Sequence, residues 1–153
     1  MTQINLSKLL SVDYQMIFEA LRRLLDGTCC LIDEDKVAAL DLFEHIREAL
    51  TDHIVFEDKV LILISEHADK KMLNYCNQMK EEHIFLSGLL EAAGHELADT
   101  HPNAFRSVLI ALKTALENHL ELEKLISYDG WGSILDSNAL LELQKRKKAG
   151  FVL

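Results

Sequence analysis

The chain of 153 residues has a single proline and six glycines. That is too little punctuation for the many turns of an all-β fold. Its three cysteines, two of them adjacent at Cys29 and Cys30, make no disulfide framework, and a reducing compartment is expected. Basic residues are outnumbered, 16 against 25 acidic, for a net charge of −9. Such a balance argues against nucleic acid and anionic membranes as partners. No run approaches the roughly 18 apolar residues of a membrane span. The opening MTQINLSKLL has no basic start, apolar block or small-residue cleavage site, so a cytoplasmic location is expected. Apolar residues are abundant, at 49%, enough to give one domain over residues 1–153 a real core.

Four long periodic segments are read from the pattern, about 6–26, 35–67, 72–97 and 102–128. Gly27 suits a helix terminator, HADKK a polar turn, and Pro102 a first helical turn, where its missing N–H costs nothing. A short fifth helix is expected from about Ser137 to the basic KRKK, within an extension over 129–153. Four helices of similar length with short links imply an all-α fold, an antiparallel up-down-up-down four-helix bundle. Alternating steps of three and four trace one stripe per segment. Segment three, for example, reads Met72, Cys76, Met79, His83, Leu86, Leu90, Ala93, Leu97.

The stripes of segments two to four are apolar apart from one polar interruption each. These are His53 with Glu57, then His83, then His119 with Glu123. With 7 histidines and 14 glutamates in the chain, one match to His-x-x-x-Glu is little more than chance. Level decides instead. Position 69 in the HADKK turn lies midway between His53/Glu57 and His83, and Pro102 lies midway between His83 and His119/Glu123. In an antiparallel bundle all three interruptions therefore reach one height. Buried glutamates cost several kcal/mol unless paired or bound to metal. A pair of iron or manganese ions would compensate them, with carboxylates bridging and imidazoles capping.

The pentads HIVFE and HLELE, with the histidine between them, resemble the hemerythrin-like (HHE cation-binding) domain. HIVFEDKVLI is similar to that family's second-helix motif, including the acidic residue after the glutamate. The resemblance covers about residues 6–128. It implies a non-haem di-iron centre, oxo- or hydroxo-bridged, with His53, His83 and His119 as terminal ligands and Glu57 and Glu123 bridging. It also implies reaction with, or binding of, dioxygen, peroxide or nitric oxide. Where the family carries a histidine on helix one, this chain reads DYQMI, with Tyr14 in its place. Tyr14 is either a phenolate ligand or core packing. As phenolate it adds a negative charge worth roughly 4 kcal/mol at about 4 Å and an effective dielectric near 20. That would lower the potential on the order of 150 mV and favour the ferric state.

Each of these residues also has a plainer reading as a hydrogen-bonded layer fixing the register of a metal-free interaction bundle. His95 with Asp99 has the same spacing but lies off its stripe, and His45, His67 and His101 fall off stripe or in turns, so surface positions are expected for all four. Cys76 reads as a buried thiol, KRKK as a solvated helix end, and Trp131 as an anchor across the bundle end. The functional classes that remain are a redox protein consuming peroxide, oxygen or nitric oxide, and a non-catalytic sensor, carrier or store. The stripe neighbours Ile17, Leu50, Leu86 and Leu116 would give such a centre an apolar lining, suited to a small gas or peroxide.

Overall fold

The computed structural model describes residues 6–27, 33–99, 101–128 and 145. Regular structure among them is entirely helical. The elements are α1 (Leu6–Gly27), α2 (Asp33–Ser65), α3 (Lys70–Ala98) and α4 (Pro102–Tyr128). Of the short C-terminal helix expected from the sequence, only Lys145, helical and exposed, falls within the described residues. Cys29, Cys30, Trp131 and the rest of KRKK lie outside them. No helix among the described residues is long and apolar enough to cross a membrane.

The expected boundaries shift by two residues at the α2–α3 link, for a local reason. Asp69 has extended backbone (φ −73°, ψ 177°), and its carboxylate accepts from the Met72 N–H at 2.8 Å. This N-cap satisfies one of the orphan donors of the first turn. It makes Lys70 and Lys71 helical rather than part of the turn, and α2 ends at Ser65. The α3–α4 link is equally tight. The Asp99 N–H donates to His95 O and the His101 N–H to Glu96 O, both at 2.9 Å. Pro102 then opens α4.

α1 packs on α2, α2 on α3, α3 on α4, and α4 returns to α1. The stripe of α3 is buried along its whole length. On α2 the buried face is broader than its stripe, because Ile54, Phe56 and Leu61 are covered as well. Long helices in a ring bury the flanks that meet their neighbours in addition to the line facing the axis. At one end of the ring Phe43 and Phe105 meet edge to face, with ring centroids 6.0 Å apart. Each such ring contributes about 1.5–3 kcal/mol by burial. Two side-chain-to-carbonyl bonds fasten the same end, Lys36 Nζ to Ala98 O at 3.4 Å and the Arg106 guanidinium to Leu25 O. Ion pairs such as Arg22 with Glu19 and Asp26 are solvent-exposed and contribute only tenths of a kcal/mol.

Candidate metal centre

Six polar side chains from all four helices meet inside the other half of the ring. α1 supplies Tyr14, α2 supplies His53 and Glu57 one turn apart, α3 supplies His83, and α4 supplies His119 and Glu123 one turn apart. All six are buried, Glu57 completely. The i, i+4 spacing places each His/Glu pair on one helix face, so two pairs and two single residues converge on one level.

The donors fall into two groups around the Glu57 carboxylate. Its Oε2 lies 2.7 Å from His83 Nε2 and 2.9 Å from His119 Nε2. Its Oε1 faces His53 Nε2 at 3.5 Å and has no hydrogen bond. On that second side His53 Nε2 lies 2.8 Å from the Tyr14 hydroxyl and 3.1 Å from Glu123 Oε1. The Tyr14 hydroxyl also donates to Glu123 Oε1 at 3.1 Å. Glu123 Oε1 reaches toward the first side too, 3.8 Å from His119 Nε2. Both glutamates therefore stand between the two histidine groups.

Ligand atoms of His53, Glu57, His119 and Glu123 all lie within 4.8 Å of one another, so this buried cluster can hold a metal ion. The donor set fits one. Imidazole and carboxylate are ordinary ligands of first-row metals, and a fully buried carboxylate oxygen without a hydrogen bond is an expensive feature that a cation would relieve. His83 is tied to the same carboxylate, and Tyr14 to His53 and Glu123. The tyrosine expected as ligand or packing thus has its oxygen turned into the cluster.

The field inside the cluster is strong. Burial alone would raise the Glu57 carboxyl, but the charge of His53 and the ring nitrogens of His119, His53 and His83 outweigh it. They hold the group well below the usual carboxylate range. Burial pushes the other way on His83, lowering it, and is overcome by the Asp58 and Glu57 carboxylates at its two nitrogens, which raise the ring to about 9. Two acids that the stripes do not pick out stand behind the histidines. Asp58 Oδ1 lies 2.6 Å from His83 Nδ1, and Glu82 Oε2 lies 2.8 Å from His119 Nδ1. Both sit one residue from a stripe position. The acidic residue after Glu57 in HIVFED was the available signal for Asp58; Glu82 carries no motif.

The off-stripe histidines are exposed. His95 stands 3.9 Å from Glu91 rather than pairing through its side chain with Asp99, His101 pairs with Glu96, and His45 bonds the Asp41 carbonyl. His67 is exposed in its turn. Cys76 is a buried free thiol, raised by burial. A surface groove of about 710 Å³ between α2 and α3 reaches Asp58 and His83, whereas the α1–α2 and α1–α4 grooves are lined by other residues. In comparisons with known proteins the chain matches no family model, no curated protein and no solved structure.

Proposed function

We propose that the cluster holds two non-haem iron ions in a hemerythrin-like bundle, and that the protein reacts with or binds dioxygen, peroxide or nitric oxide there. One observation carries the reading: the buried Glu57 carboxylate presents its two oxygens to different histidines, and Oε1 has no hydrogen bond. A single ion held by His53, Glu57, His119 and Glu123 would leave His83 and Tyr14 without a metal. In this reading His83 and His119 would hold one ion and His53 and Tyr14 the other, with Glu57 and Glu123 shared between them. Contacts along the helices support the up-down-up-down arrangement such a centre needs. Tyr14 meets Glu123 while Leu25 meets Arg106, and Asp58 meets His83 while Lys36 meets Ala98, as in antiparallel pairs.

Bound iron would exchange electrons with the small oxidant; peroxide disproportionation would balance by itself, whereas net reduction would draw on an external electron donor. The protein's own residues do the rest. Apolar neighbours Ile17, Leu50, Leu86 and Leu116, all fully buried, keep bulk water from the carboxylates and strengthen every charge interaction inside. Tyr14, if ionised by a cation, adds negative charge on the His53 side and favours an oxidised resting state over reversible oxygen carriage. The proposed chemistry is therefore redox consumption of peroxide or nitric oxide more than transport.

Metal content and the absorption spectrum of the purified protein test the centre. Two irons per chain and a visible phenolate-to-iron band are expected. A metal-free protein after iron loading would leave only a register-fixing polar layer, a state favoured by the carboxylate partners at both nitrogens of His83 and His119. Catalytic decay of peroxide or nitric oxide by the loaded protein separates consumption from sensing or storage, for which stoichiometric binding alone is expected.

A further inference from the structure

Two carboxylates outside the cluster each reach across a helix seam to the far nitrogen of a buried histidine. Asp58 follows Glu57 on α2 and bonds His83 on α3 at 2.6 Å. Glu82 precedes His83 on α3 and bonds His119 on α4 at 2.8 Å. Neighbours on a helix point about 100° apart, so the inner residue of each pair faces the interior while its companion turns into the seam. Their exposure fits that placement, since the Asp58 side chain is 48% and the Glu82 side chain 26% accessible while the histidines they hold are buried.

An ionised carboxylate only accepts hydrogen bonds. A ring nitrogen 2.6–2.9 Å from one is turned to it as a donor. Without metal this holds for Nε2 against Glu57 as it does for Nδ1 against Asp58 or Glu82. A metal would take the place of the proton at Nε2 and leave Nδ1 to the outer acids. Building on the di-metal reading, we infer that Asp58 and Glu82 are positioning residues that keep Nδ1 of His83 and His119 protonated and aim Nε2 of both at the metals. Without them each ring is free to take the opposite tautomer or to rotate, and Nε2 then presents a proton instead of a lone pair. A carboxylate behind a histidine also makes the ring a stronger donor to a metal. The two outer acids thus set which nitrogen binds and how well. They act on the His83/His119 side of Glu57.

The test uses the full chain, stripped of metal and reloaded with zinc(II), which is diamagnetic and redox-silent. Chelator competition gives affinity for the parent, Asp58→Asn and Glu82→Gln. Long-range proton–nitrogen correlation of the histidine rings gives the tautomer. Zinc should bind about 10–100-fold more weakly to each variant. Asp58→Asn should alter the ring signals of His83 alone, and Glu82→Gln those of His119 alone. Both substitutions are nearly isosteric, and thermal melts of the metal-free variants identify any loss through unfolding; in a variant that unfolds, Asp58→Glu or Glu82→Asp, which retain the carboxylate, should bind like the parent. Zinc affinity within twofold of the parent with unchanged ring signals, or ligation through Nδ1, overturns the inference while leaving the metal centre intact. A parent chain that takes up no zinc, iron or cobalt overturns both.

Discussion

Where α3 passes into α4, Phe43, Leu97 and Phe105 fill the interior with hydrocarbon, and the rings of Phe43 and Phe105 meet at 78°. About three turns further along α2, the same four helices bury three histidines, two glutamates and a tyrosine. The first region is held by area and volume, and it needs only side chains that are apolar and of about the right size. The second is held by atom-to-atom pairing, in which each of the six side chains has a partner within about 3 Å while the Glu57 Oε1 atom is left without a hydrogen bond. Apolar packing and polar pairing are thereby separated along one bundle.

The separation can be broken from either side. Glu57→Ala has the largest expected effect on the polar half. It removes the group between the two histidine sets, and metal content should fall from the two ions per chain proposed above to fewer than one by elemental analysis. On the apolar half, Phe105→Ala should destabilise by about 3–5 kcal/mol in urea unfolding without changing metal affinity in the folded fraction. If Phe105→Ala weakens metal binding as much as Glu57→Ala does, the two regions are not independent.

Response to pH sharpens the contrast. In the metal-free protein His83 is raised to about 9, above the unfolded value near 6.5. Its contribution to stability is therefore fully present below about pH 6.5 and disappears as pH rises through about 9. Glu57 is depressed, so its contribution is present above the ordinary carboxylate range and is lost as pH falls through the lowered value. Urea midpoints against pH should show both arms, and His83→Gln should flatten the alkaline one. Phe105→Ala should lower the whole curve without bending it. Metal loading should oppose the alkaline loss, because ligation needs the imidazole deprotonated at Nε2.

Tyr14→Phe is a smaller and more selective change. It removes the hydroxyl from His53 and Glu123 and should cost about 1–3 kcal/mol in the metal-free state. In the iron-loaded protein it should abolish the visible band and raise the potential on the order of 150 mV; an unchanged spectrum would return Tyr14 to packing. The smallest effect is expected at His95, exposed beside Glu91. His95→Ala should shift stability by less than about 0.5 kcal/mol and leave metal content alone, despite its own pentad spacing.

The inner residues were legible because a bundle stripe is periodic and its interruptions are few. Every stripe residue of α3 is buried as its pattern implies, and the common level of His53, His83 and His119 follows from counting to the turns. The seams were not legible in the same way. Ile54, Phe56, Leu61 and Leu122 are buried off their stripes, and Asp58 and Glu82 find partners on the next helix. Such contacts depend on how each helix is rotated against its neighbour, which one chain's periodicity does not encode. The helix start at Lys70 depended on the Asp69 cap, a single side chain inside a stretch that otherwise reads as a polar turn.

Glu57 and Asp58 are consecutive, yet one answers to the interior and the other to a seam. Losing or gaining one residue between Phe43 and Glu57 would swing the pair by about 100°, exchanging their duties and uncoupling them from the ring that Phe43 anchors. The length of this stretch of α2 is therefore set from both ends, by the ring of Phe43 and by the carboxylate of Glu57. A one-residue insertion or deletion there should disturb the packed ring and the buried carboxylate together, where a substitution disturbs one of them.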